Sequence, residues 1–213
     1  MIDAHGGFMA GKLVVPGETI SEGKKPGLHA YSEEGKLRST VVGLADEKGS
    51  RVIALKGKYM PQPGDWVIGV VQSVKYAGND VDIKCPYPGF ILSKMTKTEF
   101  ALGDVVAAQV EKIDEAKRID LKTPKRLLGG EILEVSSVKV PRIIGKRNSM
   151  LDTIMKGSGS EILVGRNGRI WLKGGNIALA VRAILMVERE AHTSGLTDRV
   201  AEFMKKESGD TKG

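Results

Sequence analysis

Hydrophobic and polar positions change rhythm twice along the chain. Up to about residue 60, short β-branched runs alternate with glycines: Lys12-Leu13-Val14-Val15, Thr40-Val41-Val42-Gly43-Leu44 and Arg51-Val52-Ile53-Ala54-Leu55. Runs of this kind, bounded by turn formers, predict a small N-terminal antiparallel β domain over residues 1–60. Met60-Pro61-Gln62-Pro63-Gly64-Asp65 closes it, because two prolines cannot continue a ladder and Pro-x-Pro-Gly favours a turn. Over residues 61–124 the strands come at short, regular spacing. Trp66 to Val74 leads to a turn at Ala77-Gly78-Asn79, followed by Val81-Asp82-Ile83, Gly89 to Leu92, Asp104 to Val110 and Arg118 to Leu121. Five short strands in one compact stretch predict a small closed barrel.

Thr123-Pro124 and Gly129-Gly130 mark the second change, after which residues 125–195 read as mixed α and β. Glu131 to Val135 alternates as a strand, and Pro141 suits the first turn of a helix because its missing N–H has no partner there. Ser149 is the expected N-cap of a helix from Met150 to Lys156 that stops at Gly157. Glu161 to Val164 and Arg169 to Leu172 flank Arg166-Asn167-Gly168, a hairpin signal, and Asn176 is placed to cap a helix from Ile177 to about Ala191. Residues 196–213 read as a C-terminal helix and tail, the tail disordered from Glu207 onward.

At 213 residues and 41% hydrophobic content the chain can build packed cores. Its apolar runs, such as Ile177 to Val187 with Arg182 inside it, fall short of the roughly 20 residues of a membrane span. The N-terminal residues Met1 to Gly7 lack the charged and apolar regions of a secretory signal, and the lone Cys85 suits a reducing compartment. The expectation is a soluble, cytoplasmic protein with no membrane partner.

The net charge of +7 is concentrated. Between Lys139 and Lys173 stand eight basic residues (Lys139, Arg142, Lys146, Arg147, Lys156, Arg166, Arg169, Lys173) against two acidic ones, Asp152 and Glu161. At the centre lies Ile143-Ile144-Gly145-Lys146-Arg147-Asn148. Gly145 lets backbone N–H groups approach a phosphate closely, and Lys146 and Arg147 add positive charge, so the segment points to a polyanion and to RNA in particular. Arg142, Arg166 and Arg169 are candidate contacts beside it, since guanidinium binds phosphate in a fork or stacks on a base. Ile144 is a candidate for the apolar wall of a base groove. Trp66 and Trp171, embedded in strand patterns, read as packing residues.

Catalytic constellations are missing. His5, His29 and His192 lie far apart and, with one cysteine, give no metal-ligand spacing. Gly145-Lys146 lacks the glycine spacing of a nucleotide-binding P-loop, and Cys85 has no neighbouring base. Asp80 and Asp82 share a strand face and superficially resemble a metal-binding pair, which would make a metal-dependent nuclease. Turn and surface chemistry explains them more simply. No cofactor, metal or enzymatic activity is expected.

The order strand, helix, basic turn, helix, hairpin, helix, with Ile-Ile-Gly-Lys-Arg-Asn at the helix junction, resembles a KH domain of the strand-first type, type I. The preceding segment resembles an S-one type OB-fold through Pro63-Gly64-Asp65, Ile68-Gly69-Val70-Val71, Val81-Asp82-Ile83, Gly103-Asp104-Val105 and Arg118-Ile119-Asp120-Leu121. With Val14-Val15-Pro16-Gly17, Val41 to Leu44 and Tyr59-Met60-Pro61 ahead of them, these segments make the whole chain similar to the RNA-binding cap subunits of the archaeal exosome, over roughly residues 8–190.

The resemblance implies a multidomain α+β protein, non-catalytic, present in three copies together with other copies of this subunit or a related one. These would sit on a hexameric ring of phosphorolytic exoribonuclease subunits and bind single-stranded, A-rich RNA 3′ tails for degradation. The N-terminal domain and parts of the barrel would dock to the ring. Two departures stand out: Asn148 ends the KH loop where glycine is usual, and Asn79 and Asp80 stand where S-one domains often carry a stacking aromatic. The remaining candidates for RNA contact on the barrel are Lys75, Tyr76, Lys84, Tyr87, Phe90, Lys94 and Arg118. The alternative reading is a stand-alone RNA-binding factor in transcription or translation that uses the same two modules.

Overall fold

A computed structural model describes residues 12–210, apart from 24, 28, 46–48, 51, 56, 97, 192 and 194. His5, His192, Arg51 and the sequence before Lys12 therefore lie outside the described residues. The chain divides into two compact units, residues 1–57 with 192–196, and residues 58–191 with 197–213.

The first unit holds six strands, β1 (Leu13–Val14), β2 (Thr19–Glu22), β3 (Ala30–Glu33), β4 (Lys36–Ser39), β5 (Gly43–Ala45) and β6 (Val52–Ala54). They form two antiparallel sheets, in the orders β1-β5-β6 and β2-β4-β3. Val14, Ala45 and Val52 make the core of the first sheet. The second sheet has no apolar periodicity to announce it, since Leu37 is the sole large apolar side chain that it buries among the described residues. Its hairpin turn, Glu34-Gly35, has positive φ at both residues, which matches the right-handed twist of the flanking strands.

In the second unit, β7 (Trp66–Lys75), β8 (Gly78–Asp82), β9 (Gly89–Leu92), β10 (Val105–Ile113) and β11 (Ile119–Leu127) close into a barrel in the order β10-β11-β9-β8-β7. All five expected strands are present, but Gly78 and Asn79, expected in the turn, already belong to β8, which ends at Asp82 before Ile83. Val67, Val71, Val81, Ile91, Val110 and Leu121 point inward, because alternate residues of a strand face opposite sides. The last strand does not end at Thr123-Pro124. Gln109 faces Lys122 while Ala107 faces Lys125, so Thr123 and Pro124 together oppose a single residue and form a bulge. A bulge is one of the few places where a sheet accepts proline, and here it lets β11 continue to Leu127.

The rest of the unit runs β12 (Glu131–Glu134), α1 (Val140–Ile144), α2 (Ser149–Ser158), β13 (Glu161–Val164), β14 (Arg169–Lys173), α3 (Ile177–Glu190) and α4 (Leu196–Asp210). The antiparallel sheet has the order β12-β14-β13. Pro141 lies in the first turn of α1, and the Asn176 side chain accepts a hydrogen bond from the Leu179 N–H at 3.0 Å, the cap that its position predicts.

Three expectations are corrected. Asn148, left-handed, precedes α2 in the cap position, and Ser149 is already helical. Gly157 is internal to α2, where a Cβ would come within 2.7 Å of Met204 of α4; left-handed Gly159 ends the helix instead. The segment Glu207–Asp210, expected to be disordered, belongs to α4. Residues 211–213 lie outside the described part of the chain.

On the outer side of the barrel, Ile68 and Leu127 pack with Trp171, joined by Val105, Ala107, Ile132 and Leu163. This apolar cluster binds the barrel to the C-terminal α/β region.

Candidate nucleic-acid interface

The turn between α1 and α2 is built around Gly145, whose φ of 75° and ψ of 173° suit a residue without Cβ. An added Cβ would stand 2.7 Å from the Met150 N and 2.8 Å from the Met150 Cβ, so the close packing of α2 onto the turn requires glycine. Arg147 (φ 53°) and Asn148 (φ 65°) are both left-handed, and for Asn148 this is the conformation that asparagine tolerates better than most residues. Lys146, Arg147 and Asn148 are exposed, and neither Lys146 nor Arg147 has an ion pair among the described residues. They stand where the first N–H groups of the ten-residue α2 begin, so helix dipole and side-chain charge favour an anion at the same place. Arg142 and Ile144 flank the turn half-buried.

Arg166 and Arg169 lie elsewhere, on the hairpin that faces the barrel. Gly168 N–H bonds the Gly165 carbonyl at 3.0 Å and the Gly165 N–H bonds the Arg169 carbonyl at 2.8 Å, which makes a three-residue loop with left-handed Gly168. Asn167 at its tip is fully buried. Its Nδ2 donates to the carbonyls of Ile68 (2.7 Å) and Ile83 (3.0 Å), and its Oδ1 accepts from the Ile68 N–H (3.2 Å).

Arg169 is 7% exposed. It donates to the Asp82 carbonyl (2.6 Å), to Asp82 Oδ2 (2.5 Å) and to Glu134 Oε1 (2.9 Å). With three of its five N–H donors engaged and little surface exposed, Arg169, expected as an RNA contact, serves as a joint between the barrel and the α/β region. Lys84, expected on the barrel's RNA face, belongs to the same joint: its Nζ reaches Glu134 Oε2 at 3.1 Å and the Val135 carbonyl at 3.3 Å. Burial alone pushes the Asp82 carboxyl up, but hydrogen bonds from Arg169 and the Lys84 N–H, with the charges of both, bring it below the usual range. The Arg169 hydrogen bond does the same to Glu134.

Arg166 is mixed in role. Its N–H donates to the Trp66 carbonyl at 2.8 Å, while its half-exposed guanidinium stands 3.5 Å from Asp65.

Elsewhere on the barrel the candidates gather in cation and aromatic pairs. The Arg118 guanidinium lies 4.6 Å from the centre of the Phe90 ring, and Lys117 lies 5.4 Å from Tyr87. Asp120 takes Arg118 at 3.0 Å and Lys112 at 3.3 Å, and Asp80 takes Lys75 at 2.5 Å. Each acidic residue beside Phe90 is thereby partly neutralised, including the Asp80 that replaces an aromatic. Asp80 and Asp82 turn to different cations, Lys75 and Arg169, and do not act as a pair. Tyr76 is fully exposed at the β7–β8 turn, and Lys94 is exposed on a one-turn 3-10 helix, Ser93–Met95.

Sequence reasoning missed Lys117, Asn167 and the exposure of Trp66. Only Asn167 carried a signal, read there as a turn.

The KH domain family model matches residues 130–178, which take in both the basic turn and the hairpin. The exosome complex component Rrp4 of Pyrococcus furiosus is 40% identical over 91% of this chain and 82% of its own length. The protein of the same name from Methanothermus fervidus is 41% identical over 90% and 94%. This chain belongs to the Rrp4 family. A crystal structure whose protein is described as an exosome complex RNA-binding protein agrees with the assignment, with a TM-score of 0.66 at 35% identity over 74% of this chain and all of the other. In this Rrp4 family member the KH module holds an exposed cationic turn at one end and a buried joint to the barrel at the other.

Proposed function

We propose that the chain is a non-catalytic RNA-binding subunit of an exosome, which captures single-stranded, A-rich 3′ tails and passes them to a hexameric ring of phosphorolytic exoribonuclease subunits. Its mechanism is positioning. Phosphates lie along Gly145 to Asn148, with Lys146 and Arg147 neutralising them, and a neighbouring base rests against Ile144 and the adjacent apolar groove. The cation and aromatic pairs at Phe90 and Tyr87 extend the track on the barrel, where a base stacks on guanidinium or ring. The N-terminal unit docks to the ring, and three copies of this chain, or a mixture with a related cap subunit, surround its entrance.

The observation that carries this reading is the α1–α2 turn: two exposed cations without an ion pair among the described residues, at the start of a helix, in a KH frame. The names of the relatives support the exosome part of it. The test is the double variant Lys146→Asp with Arg147→Asp, measured by fluorescence anisotropy with labelled oligoadenylate. Affinity should fall about tenfold or more at low salt, since hydrogen bonds to charged groups contribute about 1.5–3 kcal/mol each. The slope of log affinity against log salt should become shallower by about 1.4, at about 0.7 for each phosphate no longer neutralised. Unchanged affinity and slope would remove the turn from the RNA path.

A further inference from the structure

Trp66 is 48% exposed, although it opens a strand whose next residues are buried. The outer row of the barrel explains why this is unusual. Ile68, two residues on and on the same outer face, is covered by Trp171, Ile132 and Leu163, and its cross-strand partner Ala107 is covered with it. One rung further, Trp66 pairs with Gln109, and Gln109 pairs with Lys122 on β11. There the covering stops, and a large indole is left at the edge of the joint with half its surface in water.

The surroundings are polar and cationic. Arg166 is attached through its N–H to the Trp66 carbonyl, and its half-exposed guanidinium is steadied by Asp65. Lys122 ends the same rung, and Lys125, exposed beyond the bulge, is paired with Ala107 in the next. Gln109 is fixed by donating to the Gly64 carbonyl at 2.9 Å. An exposed indole whose own rung ends in Lys122 and whose carbonyl holds the backbone of Arg166 has the composition of a base-stacking platform with cations nearby for phosphate.

We infer that Trp66, with Arg166 and Lys122, forms a nucleotide-binding site on the β7–β10–β11 side of the barrel, apart from the Phe90 face and from the KH turn, where a base of single-stranded RNA stacks on the indole. The inference rests on the proposed RNA-binding function and adds a site to it. Arg166 keeps the role in RNA contact that its sequence position suggests, through the barrel rather than through the KH groove.

The chain contains two tryptophans, and Trp171 is only 4% exposed, with its Nε1 donating to the Gly129 carbonyl. Emission changes on RNA binding therefore report on Trp66. Oligoadenylate is titrated into the full chain, with tryptophan emission and the anisotropy of a labelled RNA followed in parallel. Emission should be quenched along the same isotherm as the anisotropy rise. Trp66→Phe should abolish the quench and keep most of the affinity, whereas Trp66→Ala should weaken binding by about 5- to 100-fold, the range of one lost base stack.

Binding by anisotropy without a change in emission would overturn the site, and so would a Trp66→Ala variant, folded by circular dichroism, that binds as tightly as the parent. Emission that responds to exosome protein partners but not to RNA would make the indole a protein contact and overturn it equally. Absence of any RNA binding in the anisotropy channel would overturn the general reading and this site together, which separates the two failures.

Discussion

Gly145 is where a single atom decides the most. Its positive φ and the 2.7 Å approach that a Cβ would make to the Met150 N leave alanine without a comfortable position. A Gly145→Ala variant should lose about 1–3 kcal/mol of stability, the order of cost for a side chain held in sparsely populated backbone, as read from urea denaturation. It should also bind RNA more weakly, because relief of the clash moves Lys146 and Arg147 off the start of α2. The neighbouring Asn148 was legible as a departure from the usual glycine, and its left-handed backbone shows why the departure is tolerated. Arg169 was not legible in the same way. Its charge and its nearness to the basic turn suggested RNA, whereas its partners, Asp82 and Glu134, lie 87 and 35 residues away in the chain, a separation that no local pattern reveals.

Among elements, the β13–β14 hairpin departs furthest from what its sequence announces. Arg166-Asn167-Gly168 reads as a loop, and loops are usually surface features, yet this loop inserts a fully buried amide against β7 and against Ile83, just past the end of β8. Asn167→Ala would leave the Ile68 N–H and two carbonyls buried without partners. The expected loss is about 3 kcal/mol or more, given about 1–3 kcal/mol for each unsatisfied group, measured by chemical denaturation. Asn167→Asp should also be destabilising, since it removes the Nδ2 donor and places a charge among carbonyls.

The barrel strands, the Asn176 cap and the α1–α2 junction were readable because alternation, capping chemistry and glycine placement act locally. The β2-β4-β3 sheet was not, because Thr-Ile-Ser-Glu, Ala-Tyr-Ser-Glu and Lys-Leu-Arg-Ser carry no alternating apolar face. The extension of β11 past Pro124 was hidden too, since proline normally ends a strand and only the bulge makes room for it.

At the scale of the whole molecule, the joint between barrel and KH region carries a pH dependence whose sign follows from its carboxylates. Asp82 and Glu134 are both held below their ordinary values by Arg169. Their contribution to stability is complete above the unfolded values of about 3.9 and 4.3, and it is lost as the pH falls through the lower folded ones. Protonation then leaves the Arg169 guanidinium buried without its counter-charges. Melting temperatures recorded from pH 7 down to pH 3 should therefore drop steeply below about pH 4 in the parent chain. In Arg169→Met the drop should be shallower, so that the difference between the two proteins shrinks with acid. Parallel curves would mean that the three residues are not coupled.

The same joint also has a history in time. Asn167 is made 99 residues after Ile68, the residue whose backbone it completes. At about 5–20 residues per second on the ribosome, β7 is finished roughly 5–20 s before its outer partner exists. Leu127, the last residue of the barrel, is made 40 residues before Asn167, so for roughly the last 2–8 s of that interval Ile68, Val105, Ala107 and Leu127 lack their outer cover. Nascent chains arrested before residue 167 should accordingly recruit holding chaperones, and release them once the hairpin has emerged.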